Sequence, residues 1–226
     1  MGVLSSTSLE TSSLKTSSQE TCRWRRRKQE RPAEILTSAL KSFTAKGYAA
    51  TKLDDVAKQA GVSKGTLYLY YESKEALFKA VVSEFVVPQI AKAEEQAEQY
   101  SGSIKDLMYK LVEQWKINVL ENELSGIPKL IMAEASNFPE LATFYLTNVI
   151  QRTRNFVTNL IIMGIERGEF QECDAKLAAR TFLSPMVFSA IWQHSLAPFD
   201  EEYDVNEYLS FHMNVFLYGI SKDKPE

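Results

Sequence analysis

The stretch Thr51–Lys74, reading TKLDDVAKQAGVSKGTLYLYYESK, constrains the fold more than any other part of the chain. It parses into helix, tight turn and helix. Thr51 suits the N-cap of the first helix, because a threonine hydroxyl accepts from a first-turn N–H that has no intrahelical partner. Leu53, Val56, Ala57 and Ala60 recur at i, i+3, i+4 and i+7, the apolar face of a short helix. Gly61 follows where a helix end takes a left-handed residue at no steric cost. Ser63 suits the N-cap of a second helix over Lys64–Tyr71, with Leu67 and Tyr71 turned inward. Two short helices joined by a three- or four-residue turn containing Gly form a helix-turn-helix.

The second helix then presents Lys64, Gly65, Thr66, Tyr68 and Tyr70 outward, with Lys74 just beyond. Ammonium, hydroxyl and phenol groups, and the free N–H groups of a helix start, are donors matched to phosphate oxygens. Gly65 removes a side chain where a backbone has to approach a groove wall. Spacing alone leaves a second reading open, a small helical hairpin with a solvated polar face.

Helical signals surround the hairpin. Pro32–Lys46 starts with a first-turn proline and stops before Gly47, and Ile35, Leu36, Ala39, Leu40 and Phe43 give its inward stripe. Ser73 opens a fourth helix in which Leu77, Phe78, Val81, Val82 and Phe85 share a face, with a kink expected at Pro88. Further helices are expected over Ile104–Leu120, Ile127–Ala135, Phe138–Arg167, Ala175–Leu196 behind Asp174, and Val205–Ile220 behind Asp204. No β-type alternation occurs. The expected fold is all-α with about nine helices.

Charge divides the chain. Residues 1–79 hold 14 Lys and Arg against 8 Asp and Glu, a net of +6, and residues 80–226 carry −9. Only the N-terminal part is therefore suited to a polyanion. Within it, Ser and Thr fill 11 of the first 21 positions, the composition of a disordered tail. Cys22–Arg31, CRWRRRKQER, follows with six basic residues. It serves either as a solubilising charge run or as an arm along DNA phosphates and the minor groove.

Other classes find little support. No apolar run approaches the ~20 residues of a membrane span, and the N-terminus has no secretory-signal pattern. Two distant cysteines, Cys22 and Cys173, fit a reducing cytoplasm and no metal-ligand spacing. Walker, G-x-S-x-G, H-E-x-x-H and C-x-x-C patterns are missing, and two histidines leave few general bases. The expectation is no enzyme, no cofactor and no metal.

From Ile35 to about Val82, ALKSFTAKGYAATKLDDVAKQAGVSKGTLYLYYESKEALF resembles the tetracycline-repressor-type (TetR) family of bacterial transcription regulators. The resemblance covers about a fifth of the chain, without gaps. It implies a three-helix DNA-binding head whose second hairpin helix lies in the major groove, and a larger C-terminal helical domain. It further implies DNA contacts from Thr51, Ser63, Lys64, Gly65, Thr66, Tyr68, Tyr70 and Lys74. Lys64 and Thr66 would read bases, while the phenols and Lys74 would hold the backbone. The implied division is a tail over 1–30, a head over 31–80 and an effector-binding and dimerisation domain over 81–226.

The same resemblance implies a homodimer on a palindromic operator, paired through the last two helices. Val205, Tyr208, Leu209, His212, Val215, Phe216 and Gly219 form one apolar stripe there, and Leu183, Met186, Val187, Ala190, Ile191 and His194 another. By periodicity alone either stripe serves equally as internal core. A small hydrophobic effector is implied as well, with Trp115, Met132, Tyr145, Phe156, Met163, Phe182, Met186 and Trp192 as candidate pocket residues. Bound effector would release a repressor from its operator. The alternative is a DNA-binding regulator or architectural protein without an effector.

Overall fold

Residues 31–200 and 202–222 are described by the structure, a computed structural model. The tail and basic segment expected over 1–30 lie outside them. Among the described residues nine helices follow one another and no strand forms. Helix α1 spans 31–46, α2 Leu53–Gln59 and α3 Lys64–Tyr70. Helix α4 runs from Lys74–Val81 through a π turn, Val82–Val86, into Val87–Glu98. Helix α5 joins Ile104–Trp115 to a π turn, Lys116–Leu120, and α6 spans Gly126–Glu134. Helix α7 comprises Pro139–Tyr145, a π turn Leu146–Gln151 and Arg152–Glu166. Ala175–Gln193 is α8 and Val205–Ile220 is α9.

Local chemistry sets most of these boundaries. Gly61 sits at φ 66°, the left-handed turn between α2 and α3. Ser63, Ser73, Ser103, Asp174 and Asp204 cap α3, α4, α5, α8 and α9 with side-chain oxygens. The expected kink at Pro88 takes the form of the preceding π turn, where the Val87 N–H reaches back to the Val82 carbonyl. Proline supplies no N–H of its own and crowds the carbonyl four residues earlier, so the helix widens rather than breaks. Thr51 corrects its expected role. The residue before α2 is Lys52, without a side-chain cap, and the Thr51 hydroxyl donates to the Ser42 and Gly47 carbonyls at 3.1 and 2.7 Å. The hydroxyl therefore ties α1 to the turn that follows it.

Two hydrophobic clusters form the interior. The first packs Phe43, Tyr48 and Phe78 with ring centroids 5.4–5.8 Å apart, and joins them to Leu67, Val56 and Leu77. It also takes in Ile127, Leu130 and Ile131 of α6 and Leu141, Tyr145 and Val149 of α7. Packing is therefore continuous from the hairpin into the following helices. The second cluster gathers α5, the later part of α7, α8 and α9 around Leu107, Met108, Ile161, Phe182, Met213 and Phe216.

Candidate functional site

Helix α3 carries the site. Ser63 Oγ accepts from the Thr66 N–H at 3.1 Å and lies 2.8 Å from Thr66 Oγ1. When the Ser63 hydroxyl donates to Thr66, the Thr66 proton remains available to an outside acceptor. Lys64 is exposed and its ammonium sits 2.8 Å from the Asp54 carboxylate of α2. That hydrogen bond raises the Lys64 pKa, and it aims the cation across the mouth of the hairpin. An exposed pair of this kind is weak, so a phosphate or base edge can draw Lys64 away. Gly65 and Tyr68 are exposed beside it. Ser63, Lys64, Gly65, Thr66 and Tyr68 thus share the start and outer face of one capped helix.

Three expected contact residues are placed differently. Tyr70 is half-buried, packed on the first cluster with its ring 6.5 Å from that of Tyr71. Thr51 is 2% exposed and braces α1. Lys74 spends its ammonium inside the head, donating to the Tyr48, Ala49 and Thr51 carbonyls at 2.8, 3.0 and 3.1 Å. It also lies 4.7 Å from the centroid of the Tyr48 ring. Burial lowers its pKa. An ammonium has three protons, so Lys74 is a tie between α4 and the turn after α1 rather than an open phosphate donor. Across the same turn, the Ala49 N–H donates to Glu134 Oε1 at 3.0 Å, which fastens α6 to the head. Burial, with Glu75, Glu140 and Glu134 nearby, pushes the Tyr48 phenol up to about 12.

Leu69 is not among the expected contacts. It is 78% exposed on the outer face of α3. The signal was present: two residues on from buried Leu67 is about 200° around a helix, on the opposite side.

The candidate effector residues do not gather around one opening. Tyr145 lies in the first cluster, Phe182 and Met186 are buried in the second, and Trp115, Phe156 and Met163 pack against it. Trp192 is half-buried between the rings of Phe188 and Tyr203, and its buried indole N–H has no partner. Met132 is 64% exposed, a correction: its position on α6 turns away from Leu130 and Ile131, which point into the core. None of the eight lines the two surface grooves of about 480 and 620 Å³. Among the described residues no group of three or more His, Cys, Asp or Glu is placed to hold a metal.

The last two helices divide their apolar residues between two faces. Leu209, Met213, Phe216 and Leu217 of α9, with Phe182, Met186 and Ala190 of α8, are internal. His212 Nε2 lies 3.0 Å from the Phe182 carbonyl and His194 Nε2 2.6 Å from Ser125 Oγ, so each imidazole has a partner inside the fold. Of the expected stripes, Leu209, Phe216, Met186 and Ala190 are buried, Val215, Gly219 and Val187 are exposed, and the others are half-buried. Exposed apolar side chains remain on both helices, Leu177, Val187 and Phe188 on α8 and Phe211, Val215 and Tyr218 on α9, with Phe211 at 67%; Val187 and Val215 belong to the expected stripes. No described helix is long and apolar enough to cross a membrane.

Residues 35–81 match the family model for bacterial regulatory proteins of the tetR family, and residues 106–208 match that of the AefR-like transcriptional repressor C-terminal domain. The uncharacterized HTH-type transcriptional regulator YhgD of Bacillus subtilis (strain 168) is 30% identical over 183 residues, 76% of this chain and 90% of that protein. The fatty acid metabolism regulator protein of the same organism is 26% identical over 167 residues, covering 73% and 82%. The crystal structure of FadR from Bacillus subtilis in complex with stearoyl-CoA superposes with a TM-score of 0.70 at 22% identity, covering 83% of this chain and 98% of that one. The chain belongs to the tetR family of bacterial regulatory proteins and is a DNA-binding transcriptional regulator.

Proposed function

We propose that the chain is a repressor that binds a near-palindromic operator as a homodimer and leaves it when a hydrophobic effector enters the helical body. The observation that carries this reading is the outer face of α3, where Lys64, the Ser63–Thr66 pair and Tyr68 surround an open backbone at Gly65. Such a face supplies donors for phosphates and base edges. In this reading residues 31–80 read DNA, residues 81–226 bind effector and pair the protomers, and a basic arm within 1–30 adds phosphate contacts. The exposed apolar face of α8 and α9 pairs with its copy, which sets two heads one helical turn apart.

The matches to a fatty acid metabolism regulator and to a transcriptional regulator solved with stearoyl-CoA support a long acyl chain, carried as a thioester, as the effector class. Phe156, Met163, Phe182 and Met186 are the side chains such a chain would displace in the second cluster. Because that cluster is filled in this conformation, the effector favours another conformation, and only its preference for that state drives release. Contacts from α6 to the head, chiefly Glu134 to Ala49, carry the change.

The test is operator release. With the chain bound to its selected duplex, stearoyl-CoA weakens binding at least tenfold, while free CoA at equal concentration does not. A library of long-chain acyl compounds that shifts neither the melting temperature nor the DNA affinity would leave a regulator without such an effector.

A further inference from the structure

On the outer face of α3 stands one side chain with nothing to donate. Leu69 is 78% exposed, a value exceeded among the large hydrophobics of the described residues only by Phe199, and it belongs to neither hydrophobic cluster. A helical side chain leans toward the N-terminus over the residues three and four positions back. For Leu69 those are Thr66 and Gly65. Gly65 has no side chain, and only Ser63 Oγ lies within 4 Å of where its Cβ would stand, at 3.9 Å. The isobutyl group is therefore uncovered on that flank, next to Thr66.

We propose that Leu69 is a specificity-determining residue that packs on the C5-methyl of a thymine in the major groove, one base step from the pair read by Thr66. The inference rests on the DNA-reading role proposed for α3. Base edges in the major groove present donors and acceptors, and the thymine methyl is the apolar exception. Over cytosine N4 or guanine O6, Leu69 would strip water from a polar group and return no hydrogen bond, which is unfavourable. Over thymine it buries apolar surface on both sides. Three residues advance the helix about 4.5 Å and one base step is about 3.4 Å, so Thr66 and Leu69 address neighbouring pairs. Gly65 lets the helix start come close enough for a side chain as short as leucine to touch the methyl.

The test replaces single thymines in the selected duplex by uracil, which removes only the methyl. Affinity is measured for the full chain and for Leu69→Ala, a change at an exposed position outside both clusters. One thymine in each half-site should matter to the unmodified chain, by roughly fourfold per half-site and about fifteenfold for both, the size expected for one buried methyl. The same duplexes should bind Leu69→Ala equally. If every thymine-to-uracil change affects both proteins alike, or none affects either, the Leu69 assignment is overturned while the DNA-reading role of α3 stands. A chain that selects no duplex at all overturns both.

Discussion

The outer faces of α3 and α9 are both left open by the fold, and their chemistry is opposite. On α3 the open groups are an ammonium, hydroxyls, a phenol and bare backbone, with Leu69 among them. On α9 they are Phe211, Val215 and Tyr218, and α8 also exposes Val187 and Phe188. Neither face contributes to the interior: the first cluster is complete behind α3 through Leu67, and the second is complete behind α9 through Leu209, Met213 and Phe216. A face rich in donors fits a polyanion, whereas an exposed apolar face fits a second apolar surface. Under the proposed function, that difference assigns reading and pairing to separate helices, α3 near one end of the chain and α9 near the other.

Charging the α9 face should produce the largest effect. Phe211→Glu with Val215→Glu is expected to leave helix content unchanged, to give a monomer by sedimentation, and to weaken operator binding about 100-fold or more through loss of the linked second head. A double variant that stays dimeric would move the pairing surface elsewhere.

Lys74 tests whether the region behind α3 is scaffold or reader. Removing three charge-assisted bonds by Lys74→Met should cost about 2–4 kcal/mol of stability in denaturant unfolding, with the salt dependence of DNA binding unchanged. Unchanged stability with a salt slope reduced by about one per half-site would make Lys74 a phosphate contact instead.

Thr66→Ala sharpens the reading face itself. It should relax preference at one base pair of each half-site, by about 1–3 kcal/mol, while binding to random duplex changes little. Equal losses on operator and random DNA would remove Thr66 as a base reader.

The smallest expected effect lies behind α9. Burial, with Lys129 nearby for His194, holds both imidazoles below the ordinary value of 6.5. The fold therefore favours neutral histidine. Its contribution is complete above the ordinary value and is lost as pH falls below it toward the depressed folded values. Melting temperature should fall between neutral and mildly acid pH. His212→Gln should diminish that fall, and an identical fall in the variant would place the titrating group elsewhere.

Local signals in the sequence carried the hairpin well, because Gly61, Ser63 and Ser73 act within three or four residues of themselves. They carried the long-range ties poorly. Thr51 and Lys74 read as surface donors because their acceptors, the carbonyls of Ser42, Gly47, Tyr48 and Ala49, come from another helix and the turn after it. Periodicity found the apolar residues of α8 and α9 but could not say which of two apolar faces the rest of the chain would cover. Nor does periodicity separate a cavity lining from packed core: Phe182 and Met186 are buried in the second cluster, with Trp115, Phe156 and Met163 packed against it, whereas Met132 is exposed. Leu69 carries no donor, so donor chemistry does not single it out, although its spacing from Leu67 marks it as outward.

The most direct measurement is selection from a pool of random duplexes by the purified full chain, in moderate salt and without acyl compounds. The expected result is a near-palindrome with two half-sites centred about 34–36 Å apart, bound well ahead of scrambled competitor. Recovery of duplexes no tighter than the scrambled pool would contradict the assignment of α3 as the element that reads sequence.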